Sequence, residues 1–129
     1  MLQLGDTFLL PKRANHTEHL WIVITRPDPE TGAAVCVNVT TRQSYSESTV
    51  VLKIGDHPFI TRESVVYYSD ARRLNLRELE EALKGSHSFV CQQREPCGGA
   101  LLQKIQEGLL ASCLVKREIK EYCRSAWQK

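Results

Sequence analysis

The stretch LWIVITRPDPETGAAVCVNVTT, residues 20–41, decides the fold of this chain. Its first part, Leu20–Arg26, is rich in β-branched and aromatic residues, which favour a pleated, half-buried strand. Prolines and a glycine follow within Pro27–Gly32 and predict a tight turn. In Ala34–Thr41 the valines alternate with cysteine, asparagine and threonine, which is the period of a strand whose two faces differ. The stretch therefore predicts a β-hairpin.

Further short strands are predicted on both sides of this hairpin. They cover Asp6–Leu10, Val50–Ile54 and Ser64–Tyr68. Short apolar segments separated by turn residues are typical of a small, strongly bent sheet or barrel. After Asn75, a candidate N-cap, apolar residues recur at helical spacing as far as Gly85, which is well placed to end a helix.

The last third of the chain is mainly helical in its pattern. Gly98 and Gly99 precede a second predicted helix, and Ser112 is a candidate cap for a third. Adjacent amphipathic helices joined by a tight turn form an αα-hairpin. The sequence therefore predicts an α+β fold, mainly β with C-terminal helices. We expect a small, strongly bent sheet or barrel with its closing helix over residues 1–85, and a helical hairpin over residues 86–129 packed on it as a single compact domain.

The composition excludes several classes of protein. The chain has 129 residues, is 42% hydrophobic and 25% charged, and carries a net charge of +2, which excludes a histone-like polycation. Its apolar runs are far shorter than the ~18 residues of a membrane span, and its N-terminus lacks the pattern of a secretory signal. The 5 cysteines lack metal-finger spacing and favour reduced thiols. We expect a cytoplasmic protein that does not bind a membrane.

Histidines are the candidate proton-transfer groups. His57 lies in a turn after Gly55, where it can act as a general base, because imidazole titrates near neutral pH, or can simply hydrogen-bond its own turn. His16 and His19 are close in sequence, but they follow Pro11 and precede a strand, and a third metal ligand is not evident. This pair indicates a loop rather than a metal site, and we expect neither a metal nor a cofactor.

Hydroxyl, cationic and aromatic side chains are the candidate contacts to a polyanion. Thr40 and Thr41 end the hairpin, where a threonine can bind a phosphate or a base edge, or merely close the strand. Arg62 and Arg72 can each contact a phosphate or lie solvated on the surface. Tyr67 can stack on a base or lie in the core or at the rim of the sheet.

The order of several local motifs resembles the PemK/MazF family of toxin–antitoxin ribonucleases over about residues 1–85. In chain order these motifs are Gly5-Asp6, His19–Ile24, Asn38–Thr41, Ser64–Val66 and Asp70–Leu74. The family fold is a small SH3-like barrel with a helix at its end, so the resemblance implies such a barrel here. The helical hairpin predicted after Gly85 lies outside the minimal family pattern.

The resemblance implies a metal-independent endoribonuclease that acts on single-stranded RNA through the ribose 2′-hydroxyl. It also implies a cognate antitoxin protein that fills the RNA groove, and a homodimer. Such a reaction needs a base, an acid and a cation at the phosphate. The family arginine before the second strand is replaced by His19 and Leu20, and an Arg–Asp pair of some members corresponds to Tyr67 and Ser69.

Candidate roles within this resemblance fall on distant segments. The catalytic candidates are His19, His57, Arg62 and Arg72, and the substrate-binding candidates are Thr40, Thr41 and Tyr67. The replaced charged positions favour an alternative, a non-catalytic SH3-like module that binds a protein or nucleic-acid ligand in a defence or mobile-element system. Another alternative is an obligate dimer with a structural role, whose helices bury their apolar stripes against a second copy.

Overall fold

The computed structural model describes residues 2–11, 18–84 and 92–128. In this part of the chain, antiparallel strands form one 7-stranded sheet. The strands are β1 (Thr7–Pro11), β2 (Glu18–Val23), β3 (Ala33–Thr41), β4 (Val51–Leu52), β5 (Ser64–Val66), β6 (Arg72–Asn75) and β7 (Gln92–Arg94). The helices are α1 (Leu76–Lys84), α2 (Gly99–Ala111) and α3 (Arg117–Trp127). The predicted α+β class, mostly β with C-terminal helices, is confirmed.

The predicted hairpin is the centre of the sheet. Strands β2 and β3 pair antiparallel, with Trp21 opposite Asn38 and Ile22 opposite Val37. The sheet continues in the order β4-β5-β3-β2-β1-β7. Strand β3 is long enough for β5 and β6 to pair with its C-terminal and N-terminal parts respectively. The chain between β5 and β6 forms a 3₁₀ turn over Tyr68–Asp70.

One face of the sheet is covered by α2 and α3, and we call it the helix-covered face. Its core side chains include Ile22, Val35, Val37, Val66, Ile105, Leu109, Ile119 and Cys123. Each fully buried aliphatic side chain of this kind contributes about 1.5–3 kcal/mol through the hydrophobic effect. Gln106 Nε2 and Trp127 Nε1 both donate to the carbonyl of Ile24, at 3.0 and 3.1 Å, and so fix both helices to the same strand end.

Helix α2 approaches the sheet closely at Gly108. A Cβ added there would overlap the Tyr68 hydroxyl and a Val50 methyl group. The same hydroxyl donates to the carbonyl of Ile105 at 2.7 Å, and burial raises the pKa of Tyr68. A glycine is therefore required here by the close approach of helix and sheet.

The opposite face, which we call the Trp21 face, is covered at one end by α1. Phe8 and Trp21 stack there with ring centroids 6.5 Å apart, and Leu76 packs in the same cluster. Helix α1 begins as predicted: Asn75 Oδ1 accepts from the backbone N–H of Arg77 at 3.0 Å, with a second bond from the following residue. This capping confirms the predicted start of the helix.

Other sequence predictions require correction or lie outside the described residues. Ser112 does not cap α3: it ends α2, its hydroxyl accepts from Leu114 N–H at 3.1 Å, and Lys116 is the N-cap of α3. Strands β6 and β7 were not predicted, because both are polar segments at open edges of the sheet. The predicted helix end at Gly85 lies outside the described residues, and the domain boundary at residues 85–86 stays a prediction.

Cysteines of the described residues are free thiols. Cys36, Cys97 and Cys123 are buried, whereas Cys113 is exposed. Burial raises the pKa of Cys97 to about 11 and that of Cys123 to about 12, so these thiols stay protonated at neutral pH. Among the helices within residues 2–11, 18–84 and 92–128, none has the length and apolar character needed to span a membrane.

Candidate functional site

His19 and Thr40 meet on the Trp21 face, at the end that α1 leaves open. Leu20 of β2 pairs with Val39 of β3, and continuing this register by one residue places His19 opposite Thr40. Side chains alternate along a strand, so residues two apart point to the same side. His19 therefore shares its face with Trp21, although neither the spacing nor the composition of the sequence predicts which residues pair across strands.

The hydrogen bond of His19 fixes which ring nitrogen is basic. Nδ1 lies 3.1 Å from the carbonyl oxygen of Val39. A carbonyl only accepts, so Nδ1 carries the proton and donates, and the neutral ring keeps its lone pair on Nε2. The side chain is half-buried, and Nε2 has no hydrogen-bond partner in the part of the chain that the structure describes. The ring can therefore accept a proton at Nε2.

Arg72 lies on the same face of the sheet, opposite Cys36, where an aromatic ring and a carboxylate hold its side chain. Its guanidinium carbon lies 5.4 Å from the centroid of the Trp21 ring, and Nη2 pairs with Asp70. Asn38 Nδ2 donates to the other carboxylate oxygen of Asp70 at 2.7 Å. The Arg72 side chain is still 49% exposed, so its remaining N–H donors are accessible to a ligand.

Asn38 lies on the floor of the site and carries an unused acceptor. The residue is fully buried, yet its Oδ1 has no hydrogen-bond partner within the described residues. A buried polar atom without a partner costs about 1–3 kcal/mol. The backbone N–H of Tyr67 donates to the Asn38 carbonyl at 2.8 Å, which places Tyr67, 40% exposed, beside this floor. This face of the sheet therefore carries a basic nitrogen, a hydroxyl and a fixed cation, above a buried acceptor that is unsatisfied within the described residues.

His57 lies on the other side of the sheet and both its ring nitrogens are engaged. Nε2 is 2.7 Å from the carbonyl of Glu95, and Nδ1 accepts from the backbone N–H of Phe59 at 3.0 Å. His57 Nε2 also lies 3.5 Å from Thr7 Oγ1. Phe8 lies on the Trp21 face, so its neighbour Thr7 points to the helix-covered face, and this contact places His57 there. This bonding supports the structural interpretation, in which His57 holds its turn against the chain after β7.

Thr41 and Arg62 are not brought to the His19 group. Thr41 alternates with Thr40 and pairs with Ser64, so its side chain points to the opposite face. Arg62 is exposed in the loop before β5, where its carbonyl accepts from the Ser64 hydroxyl at 2.9 Å. His16 lies outside the described residues. Within the described ranges, no three His, Cys, Asp or Glu side chains are grouped as metal ligands.

Asn38 and Asp70 are the site residues that the sequence did not predict. A signal for Asn38 was present, because it is a polar residue on a strand that otherwise alternates valine with small side chains. Asp70 stood within a motif of the family resemblance but had no assigned role. Its place beside Arg72 depends on the 3₁₀ turn after β5, which has no sequence signature.

A cavity of about 700 Å³ lies beside the start of α1, away from His19, Thr40 and Arg72. Arg26, Arg77 and Glu80 are among its charged lining residues, and the last two make internal hydrogen bonds. Arg77 donates to the carbonyls of Pro29 and Glu30, both at 2.9 Å, and Glu80 accepts from the backbone N–H of Leu2 at 2.6 Å. These bonds hold the hairpin turn and the N-terminal segment against α1, so we place the candidate site on the Trp21 face.

Comparisons with known proteins agree with this architecture. No protein-family model matches the chain, and no curated protein matches its sequence significantly. A solved structure described as an endoribonuclease in complex with its cognate antitoxin, from a mycobacterial species, superposes with a TM-score of 0.56 at 15% identity. The match covers 86% of this chain and 93% of that chain. The two chains share a fold.

Proposed function

We propose that this chain is a toxin-like endoribonuclease of the PemK/MazF type, which cleaves single-stranded RNA without a metal ion in the cytoplasm. The observation that supports the proposal is that the register of the sheet gives His19, Thr40 and Arg72 the same face. The shared fold supports it, because that neighbour is described as an endoribonuclease bound to its antitoxin. We further propose a cognate antitoxin as the partner that covers this face, and a homodimer as the assembled form.

His19 is the general base of the proposed reaction. Its Nε2 lone pair accepts the proton of a ribose 2′-hydroxyl while that oxygen attacks the adjacent phosphorus. The new O–P bond forms as the bond from phosphorus to the 5′-oxygen breaks, and the leaving oxygen takes a proton from solvent. The products are a 2′,3′-cyclic phosphate and a 5′-hydroxyl. A positioned base of this kind contributes typically ~10²–10⁴-fold in rate.

Arg72 and Thr40 act on the phosphate in this proposal. The guanidinium offers planar N–H donors to the phosphoryl oxygens, whose negative charge grows in the transition state. The Thr40 hydroxyl donates a further hydrogen bond from the neighbouring strand. Asp70 and Asn38 are positioning residues, because they fix Arg72 and do not themselves reach the phosphate. Tyr67 offers a ring at the rim on which a base can stack.

A cleavage assay tests this proposal. Purified protein and a His19→Ala variant, prepared in parallel, are incubated with single-stranded RNA in the presence of a chelator. We expect the wild type to give cyclic-phosphate ends, the variant to be at least about 100-fold slower, and a substrate with 2′-deoxyribose at the cut position to stay intact. Intact RNA at high excess of wild-type protein would refute catalysis.

A non-catalytic binding module is the second candidate function. It is favoured by the replacement of charged family positions, since Tyr67 and Ser69 stand where some members carry an arginine and an aspartate. Retained binding of RNA, or of a protein partner, without any cleavage would favour this module over the enzyme.

A further inference from the structure

The edge of the sheet next to Arg72 forms a second cationic feature that the proposed reaction does not use. A groove of about 300 Å³ lies between β6 and the start of α3. It is lined by Ala71, Arg72, Arg73, Lys116, Glu118, Ile119 and Tyr122. Three of these side chains are cationic and one is a carboxylate. Because Asp70 pairs with Arg72, the positive charge available to a ligand comes mainly from Arg73 and Lys116.

Arg73 is pre-organised within this groove. Its guanidinium carbon lies 5.1 Å from the centroid of the Tyr122 ring, and the stack holds the guanidinium in place. Within the described residues, no carboxylate lies within salt-bridge distance of Arg73, and its side chain donates no hydrogen bond. A stacked guanidinium whose donors have no partner among the described residues suits the planar, bidentate geometry of a phosphate.

The start of α3 adds to the positive potential of the groove. Lys116 is the N-cap residue, and no side chain caps the first backbone N–H groups of the helix. The positive end of the helix dipole therefore faces the same space as the Arg73 stack. Glu118 opposes this potential, because it lies in the first turn of the helix. The stacked Arg73 is therefore the main cationic group of the groove, and the helix end adds little to it.

The groove is continuous with the candidate site through Arg72. Strand β6 pairs with β3 alone among the described strands, so its other edge is open. Arg72 and Arg73 are adjacent on this strand and point to opposite faces, yet both line the groove. A chain of phosphates that crosses the Trp21 face at Arg72 can therefore continue around the edge of β6 to Arg73.

We infer that this groove, lined by Arg73, Lys116 and Tyr122, binds a further phosphodiester of the same single-stranded RNA. The inference rests on the proposed function and extends it. It makes the C-terminal helix α3, which lies outside the minimal pattern of the family that the sequence resembles, part of the RNA-binding surface. The substrate is then longer than the dinucleotide at which the bond is cut.

Binding of a non-cleavable RNA tests the groove independently of catalysis. The probe is a 2′-O-methyl single strand of about ten nucleotides, and fluorescence anisotropy gives the Kd at several salt concentrations. The variant is Arg73→Gln, and the matched control is Arg117→Gln. Arg117 is the first residue of α3, the helix that lines the groove, but its side chain is 91% exposed and paired with Glu121. Both variants remove one positive charge, so any difference between them reports the place of the charge.

We expect Arg73→Gln to weaken binding roughly tenfold, the scale of one charge-assisted contact. The slope of log Kd against log salt concentration falls by about 0.7, as for one lost phosphate contact to a single strand. Arg73→Lys, which keeps the charge but loses the planar stack, gives an intermediate Kd. Arg117→Gln stays within about twofold of the wild type, since a solvated surface pair contributes little.

The outcomes separate the groove from the reaction. Equal Kd values for Arg73→Gln and Arg117→Gln would refute RNA binding in the groove, even if the wild type cleaves RNA. Binding that depends on Arg73 in a protein that does not cleave RNA supports the groove and refutes the enzyme. A wild type that does not bind the probe at micromolar concentration refutes both. Thermal unfolding of each variant shows that the compared proteins are folded, and Arg73→Lys replaces Arg73→Gln if the latter is not.

Discussion

The two faces of the sheet each hold a histidine, and the two rings are bonded in opposite ways. On the helix-covered face, His57 accepts from Phe59 N–H and lies against the Glu95 carbonyl, so neither nitrogen is left over. On the Trp21 face, His19 uses Nδ1 alone, toward the Val39 carbonyl. A histidine in a turn can therefore be wholly structural, whereas His19 on β2 has an Nε2 without a hydrogen-bond partner among the described residues.

The same contrast holds for the surroundings of the two rings. The helix-covered face is closed by apolar side chains from α2 and α3, which exclude a substrate. Among the described residues, the Trp21 face is covered by α1 at one end and carries a paired arginine and a buried, unsatisfied amide oxygen at the other. Stability and proposed function are thus separated by the alternation of side chains along the same strands.

The largest effect that we expect separates the histidines directly. His19→Ala lowers the rate of RNA cleavage by about 10²–10⁴-fold and changes the free energy of unfolding little. His57→Ala leaves Phe59 N–H without its partner and removes one of the two side-chain donors to the Glu95 carbonyl, the other being the Thr7 hydroxyl, so it lowers the free energy of unfolding by about 1–3 kcal/mol. Cleavage by the folded fraction of His57→Ala stays near the wild-type rate.

Kinetics measured alongside chemical denaturation check this pair of variants. A His57→Ala protein that is fully folded but inactive would reverse the assignment of the rings.

A smaller loss of activity is expected for Arg72. Replacement by glutamine removes the cation at the phosphate and lowers kcat by about 10²–10³-fold, as for one lost donor to a developing charge. Arg72→Lys recovers part of that loss, because it keeps the charge without the planar fork or the stack on Trp21. Single-turnover rates at saturating protein measure the effect, and equal rates for wild type and Arg72→Gln would remove Arg72 from the reaction.

On the helix-covered face, Gly108→Ala is expected to destabilise the fold by about 1–3 kcal/mol, since the new methyl group overlaps Tyr68 and Val50. The matched control is Gly99→Ala in the same helix, where an added Cβ meets nothing within 4 Å. That variant stays within about 0.5 kcal/mol of the wild type or is more stable, because alanine favours a helix. Urea unfolding measures both, and equal midpoints would contradict the close docking of α2.

The smallest effect is expected at the rim of the β3–β5 pair. Arg42 and Glu63 form a salt bridge at 2.6 Å, but their side chains are 43% and 47% exposed. Solvent screening reduces such a pair to about 0.2–1 kcal/mol. A double-mutant cycle with Arg42→Gln and Glu63→Gln measures the coupling, which falls further at high salt. A coupling energy above about 2 kcal/mol would contradict the solvent screening expected for side chains this exposed.

The sequence was informative where local chemistry sets the structure. The β-branched and alternating pattern of residues 20–41 predicted the central hairpin, and Asn75 predicted the start of α1, because strand period and N-capping are local properties. The prediction that Ser112 caps α3 was wrong, because a hydroxyl that suits a helix N-cap also suits the end of the preceding helix, where Ser112 lies. The polar strands β6 and β7 carry no apolar pattern, because one edge of each is open.

The site was harder to predict than the fold, because it depends on register. His19, Thr40 and Arg72 were each named as candidates from residue type, but so were His57, Thr41 and Arg62, which the sheet places elsewhere. Thr40 and Thr41 differ by one position, and that one position selects the face. The hydrogen bonds of Asn38 and Asp70 depend on a turn that brings residues 32 positions apart together.

Nuclear magnetic resonance can show whether RNA lies on the Trp21 face, as proposed. Isotope-labelled protein is titrated with a non-cleavable 2′-O-methyl single strand, and each backbone amide is followed. We predict that the largest shifts fall on His19, Asn38, Thr40, Tyr67 and Arg72. Shifts confined to the cavity beside Arg26 and Arg77, or no shifts at millimolar RNA, would contradict it.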